Sequence, residues 1–146
     1  MAAPTPQPLR RTQPVALVVD DDEPSARMVA REVRAYCEVA TAFDGVAGFE
    51  AALELHPRLI ISDVHMPLLD GLSMVRRIEA LPACRGASVI FMTADTDPSF
   101  RLAATRWQHA RYLVKPISID RLHDEVRWAL AAQLGDVPPS ARRPRL

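Results

Sequence analysis

The chain has 146 residues, the size of one ordinary domain, with 49% apolar and 25% charged residues, as in a globular protein. Eighteen basic residues balance eighteen acidic ones, so the total charge gives no electrostatic reason to expect a nucleic acid or membrane partner. No apolar run approaches the roughly 20 residues that span a bilayer, so membrane insertion is not expected. Cys37 and Cys84 stand in no metal or redox spacing, which argues against a zinc site or a disulfide framework and fits a reduced, cytoplasmic compartment.

Residues 1–14 hold four of the thirteen prolines, and residues 135–146 hold three more with three arginines. Both stretches are expected to be disordered tails, each with a net charge of +2, around a core of 15–134 that carries −4. The first is not a signal peptide, because VALVV is followed at once by four acidic residues.

Within the core, strand and helix patterns alternate. Strands are expected at 15–19 (VALVV), 37–41 (CEVAT), 59–62 (LIIS), 88–92 (SVIFM) and 112–114 (YLV). The first, third and fourth are unbroken apolar runs, as parallel strands buried on both faces require. The second alternates, as an edge strand can. Between them come helical stripes: Val29, Val33 and Tyr36 after Pro24; Val46, Phe49 and Leu53 ended by His56-Pro57; Met74, Ile78 and Leu81 stopped by Pro82. A weaker stripe covers 97–107. Ser118 is placed to cap a last helix with the stripe Ile119, Leu122, Val126, Leu130 and Leu134, and Gly135 to end it. Five βα units with right-handed crossovers predict a doubly wound open sheet, whose ligands bind at the carboxyl ends of the strands.

The residues just past each apolar run are therefore the informative ones. Asp20, Asp21 and Asp22 follow the first strand, Asp63 the third, Thr93 the fourth and Lys115 the fifth. Carboxylates crowded together raise one another's pKa unless a cation joins them. An all-oxygen donor set suits a hard divalent ion, Mg²⁺ before Ca²⁺. Metal and ammonium beside a free carboxylate and a hydroxyl suit a phosphoryl group, which an aspartate can attack to give an aspartyl phosphate. The chain uses arginine seventeen times and lysine once, at Lys115, where a compact point charge fits a narrow phosphate pocket better than a planar fork.

Four segments in register, VVDDD at 18–22, ISDVHMPLLDG at 61–71, FMTAD at 91–95 and YLVKP at 112–116, resemble the receiver domain of bacterial two-component response regulators over essentially all of 15–134. The resemblance implies a flavodoxin-like fold, with a five-stranded parallel sheet in the order 2-1-3-4-5 and five helices. It implies that Asp63 is the phospho-acceptor, and that Asp20, Asp21, Asp63 and the backbone carbonyl of His65 hold Mg²⁺. Thr93 is then the switch hydroxyl, Tyr112 the coupled aromatic, and Lys115 the contact to the phosphoryl group. Pro67 and Gly71 shape the loop after Asp63, with Gly71 relieving a tight turn, and the Lys115–Pro116 bond is expected to be cis. Partners would be a sensor histidine kinase or a histidine phosphotransfer domain, then a downstream protein or a further relay step. The face made by the fourth helix, fifth strand and last helix would carry the output.

Two departures stand out: Gln108-His109 replaces the family's usual Gly-Ala pair, and His65 lies at a variable position. The twelve residues after 134 cannot form an effector domain, so a stand-alone, chemotaxis-regulator-like receiver without direct DNA binding is expected.

Two other functions fit parts of the pattern. Haloacid-dehalogenase-type phosphatases also use an aspartate after an apolar first strand, but Glu23-Pro24 follows here and no late acidic pair comes after Lys115. A phosphorylation-independent interaction module would show losses in the pocket, and none is seen. Remaining singular residues have plain readings: Asp22 and Glu23 as a helix start, Tyr112 as core or switch, His56, His109 and His123 as surface, Trp107 and Trp128 as packing, and the cysteines as small buried residues.

Overall fold

The apolar run Val15–Val19 is buried at every position and forms β1, an interior strand of a five-stranded sheet. The computed structural model describes residues 14–94 and 110–133. After β1 come α1 (Glu23–Val33), β2 (Glu38–Ala42), α2 (Gly45–Leu55), β3 (Leu59–Asp63), α3 (Gly71–Glu79), a 3₁₀ turn (Pro82–Cys84), β4 (Ser88–Thr93), β5 (Ala110–Val114) and α4 (Ile119–Gln133). All strand pairs are parallel and the order is β2-β1-β3-β4-β5, as expected. Four α-helices stand among the described residues rather than five. The helix expected over 97–107 lies outside them, as do the tails and Leu134 and Gly135.

Helices α2, α3 and α4 start where short polar side chains satisfy the first free amides. Asp44 accepts from the Ala47 N–H at 2.7 Å, Asp70 from the Ser73 N–H at 2.8 Å, and Ser118 from the Arg121 N–H at 3.4 Å. Two apolar layers flank the sheet. α2 and α3 cover one face, where Leu17, Ile60, Phe91 and Tyr112 lie; α1 and α4 cover the other, over Val18, Ile61, Ile90 and Leu113.

Three expectations need correction. Of the stripe Val46, Phe49, Leu53 only Phe49 packs against the core: Val46 and Leu53 are about half exposed, and Gly45, Gly48 and Ala52 are buried instead. The helix approaches too closely for larger groups, since a Cβ on Gly48 would lie 2.6 Å from the Met74 sulfur. On α4 the buried stripe is rotated. Ile119 is exposed, and Leu122, Val126 and Ala129 are joined by Glu125. Glu125 is paired inside the protein with Arg111 of β5, whose guanidinium stacks over Trp128 at 4.2 Å. Finally, His123 is not a plain surface residue. Its ring meets the Tyr36 hydroxyl and, through Nε2, the Glu32 carboxylate at 2.9 Å, tying α4 to α1.

At the amino-terminal edge of the sheet, Arg58 donates to Gln133 Oε1 at 3.0 Å, and Gln133 donates to the Gly86 carbonyl and to Ser88 Oγ. Ser88 in turn donates to the Ala129 carbonyl at 3.1 Å. This knot fastens the end of α4 to the beginnings of β3 and β4. Among the described residues, no helix is long and apolar enough to cross a membrane.

Candidate functional site: a carboxylate pocket at the strand ends

Parallel strands that stop in register deliver their next residues to one edge. Asp20 extends β1 by one step, its N–H donating to the Ala42 carbonyl at 3.2 Å, and its side chain is fully buried. Asp21 beside it is exposed. Asp63 ends β3 and is 8% exposed. Lys115 follows β5, where its N–H donates to the Thr93 carbonyl at 2.8 Å. Its ammonium reaches back between the carboxylates, 3.3 Å from Asp20 Oδ2 and 3.2 Å from Asp63 Oδ2. Asp20, Asp21 and Asp63 can each bring one oxygen within 4.8 Å of the others.

The charges are unbalanced, with three carboxylates facing one ammonium. Burial pushes the Asp20 carboxyl above the usual aspartate range, and the Asp63 charge pushes the same way. The Asp22 N–H, donating at 2.9 Å, and Lys115 offset this only in part. Burial works against the Lys115 ammonium, but the two carboxylates outweigh it and hold its pKa above the ordinary lysine value. A buried carboxylate held at high energy in an all-oxygen cluster is what a hard divalent cation relieves, so the residues fit Mg²⁺.

A raised folded-state pKa means that Asp20 favours the folded protein at pH below its unfolded value. That contribution is lost as the pH rises through its folded value. Asp20→Asn is therefore expected to melt higher than the native protein at neutral pH without Mg²⁺, with the gap closing on acidification. Melting curves across that range check this, and a lower melting point for Asp20→Asn at neutral pH would contradict it.

The remaining expected site residues take these positions. Thr93 ends β4 and is 1% exposed. Tyr112 pairs with Phe91 across β4 and β5 and is buried; by strand alternation Thr93 and Tyr112 share the face covered by α2 and α3. His65 and Pro67 are exposed on the loop after β3, and the Lys115–Pro116 bond is cis. Gly71 is needed for a reason other than a turn: a Cβ there would lie 2.1 Å from the Asp63 carbonyl oxygen. The left-handed residue of that loop is Leu68, with φ of 71° and 96% exposure, which nothing in its side chain announces.

The comparisons with known proteins agree with this geometry. The "Response regulator receiver domain" family profile matches residues 16–127. The transcriptional regulatory protein PrrA of Mycobacterium tuberculosis is 34% identical over 131 residues, covering 89% of this chain and 55% of that protein. The hybrid signal transduction histidine kinase D of Dictyostelium discoideum is 32% identical over 110 residues, covering 75% of this chain and 7% of that protein. The chain thus spans about half of the length of PrrA and a small part of the kinase. The chemotaxis protein CheY4 of Vibrio cholerae superposes with a TM-score of 0.76 at 27% identity, over 82% of this chain and all of that one. The receiver domain of the hybrid histidine kinase CckA superposes at 0.66 and 28% identity, over 80% of this chain and 98% of that one. Matched along most of its length, the chain belongs to the response regulator receiver domains, the phospho-acceptor modules of two-component signalling.

Proposed function

We propose that Asp63 is the residue that takes the phosphoryl group. The observation that carries this is the Lys115 ammonium held 3.2 Å from Asp63 Oδ2 and 3.3 Å from Asp20 Oδ2, beside the exposed Asp21. A carboxylate oxygen of Asp63 attacks phosphorus. The bond from phosphorus to the donor breaks, and the donor's leaving atom keeps the electron pair. The donor is a phosphohistidine of a sensor kinase or of a histidine phosphotransfer domain.

Asp20, Asp21, Asp63 and the His65 carbonyl would hold Mg²⁺, which when bound would supply positive charge against the phosphoryl oxygens. Lys115 gives its ammonium to the same oxygens, and the Thr93 hydroxyl donates a hydrogen bond to one of them. Tyr112, on the same face of the sheet, fills the space that Thr93 leaves. Catalysis by the chain is limited to its own phosphorylation and dephosphorylation. The altered surface is read in the cytoplasm by a downstream protein, or the group passes on in a relay. This reading replaces a haloacid-dehalogenase-type phosphatase, which the family assignment does not support.

The test is chemical mapping. The protein is incubated with acetyl phosphate and Mg²⁺, trapped by borohydride reduction of the acyl phosphate, and digested for mass spectrometry. The reduced residue is expected at position 63, and reduction at any other carboxylate would overturn the assignment.

A further inference from the structure

The peptide unit that joins Asp63 to Val64 is gripped at both ends. At one end, the buried Ser62 hydroxyl donates to the Asp63 carbonyl oxygen at 2.8 Å. At the other, the Val64 N–H donates back to Asp63 Oδ1 at 2.8 Å, while also meeting the Met92 carbonyl at 3.1 Å. Gly71 closes over this unit. Its own N–H donates to the Val64 carbonyl at 2.8 Å, and its missing Cβ leaves room for the Asp63 carbonyl and for Ser62 Oγ.

The position of this unit explains why such a grip matters. The pairing of β1 with β3 ends at Val19 and Ser62, one residue before Asp63. Asp63 is thus the point where β3 leaves the ladder on that side. On the other side β4 still holds this unit, with Asp63 paired to Met92 and the Val64 N–H bonded to the Met92 carbonyl, and a peptide plane paired on one side alone can rotate more freely than one paired on both. Rotation would carry the Val64 N–H away from Oδ1 and release the carboxylate to turn about its own bonds. With the plane held, Oδ1 is occupied and Oδ2 is the oxygen presented to Lys115 at 3.2 Å.

We infer that Ser62 is a positioning residue for phosphoryl transfer: its hydroxyl, through the Asp63–Val64 peptide, fixes which carboxylate oxygen of Asp63 faces the pocket. This rests on the reading of Asp63 as acceptor. The Ser62 hydroxyl is bonded to a main-chain carbonyl, and it acts through the backbone. An oriented nucleophile reacts faster at saturation without binding its substrate more tightly.

The experiment uses the full chain with Ser62→Ala, which removes one hydroxyl and adds no bulk. Phosphorylation is followed over a range of acetyl phosphate concentrations at saturating Mg²⁺. The maximal rate constant is expected to fall about tenfold, with the half-saturating concentration unchanged. In the metal-free protein, the Val64 amide proton is expected to move upfield and to exchange faster with solvent, as its bond to Oδ1 loosens. A wild-type rate, or a reduced rate with an unmoved Val64 amide, would overturn the positioning role. Asp63→Asn serves as the control. Uptake that persists there brings down the acceptor assignment and this inference together. Loss there, with wild-type behaviour in Ser62→Ala, overturns the inference alone.

Discussion

Asparagine at position 63 is expected to abolish phosphoryl uptake, by at least ~10³-fold, without unfolding the protein. The amide has the shape of the carboxylate, and its oxygen can still accept the Val64 N–H that now meets Oδ1 at 2.8 Å. It lacks the negative charge that attacks phosphorus. Lys115 keeps Asp20, 3.3 Å away, as a partner. Thr93→Ala is expected to behave differently, because in the proposed mechanism its hydroxyl acts on the product and not on the attack. A hydrogen bond to a charged group contributes about 1.5–3 kcal/mol, so its loss shifts the two-state equilibrium of the phosphorylated form by about one to two decades. Intact-mass measurement should find Asp63→Asn unmodified and Thr93→Ala modified. Amide shifts with beryllofluoride should be large in the native protein and small in Thr93→Ala. Equal shifts in both would remove Thr93 from the switch.

Glu125→Ala is expected to cost about 3–5 kcal/mol of stability, a large part of what a domain of this size possesses. The Arg111 and Glu125 side chains are each 7% exposed and paired, with the guanidinium also lying over the Trp128 ring. Removing the carboxylate takes the Glu125 partner from a buried cation, whereas removing both charges leaves no cation to compensate. An Arg111→Met, Glu125→Leu double variant should therefore recover most of the loss. Urea unfolding of the three proteins gives the comparison. A single-variant loss below about 1 kcal/mol would mean that water reaches the guanidinium as soon as Glu125 is gone.

The contrast between pocket and pair shows which parts of this protein can be read without coordinates. Asp20, Asp63, Thr93 and Lys115 were legible because parallel strands must end at one edge, so four scattered motifs collapse onto one place once the apolar runs are recognised. The strand order follows from the same regularity. Arg111 and Glu125 were not legible, because a charged residue in a strand or helix reads as solvent-facing until its partner is found, and these two are fourteen positions apart. The inner face of α2 is not legible from hydrophobic size, which is a poor proxy for burial there. Gly45, Gly48 and Ala52 are inside because they are small, and Val46 and Leu53 were left outside by that close approach. The place of His123 depends on Glu32 and Tyr36, about ninety residues away in the chain and adjacent in space. Ser62 reads in the sequence as one more residue of an apolar strand.

The knot of Arg58, Gln133 and Ser88 also decides how the domain can be held. Pro14, just before β1, lines one cavity of about 360 Å³ with Tyr36, Arg58, Leu130 and Gln133, so both ends of the described core meet at the amino-terminal edge of the sheet. The carboxylate pocket opens at the opposite edge. A tether joined at Pro14 or at Gln133, whether a surface linker, a fluorescent label or a fused protein, therefore attaches at the edge of the sheet opposite the carboxylate pocket.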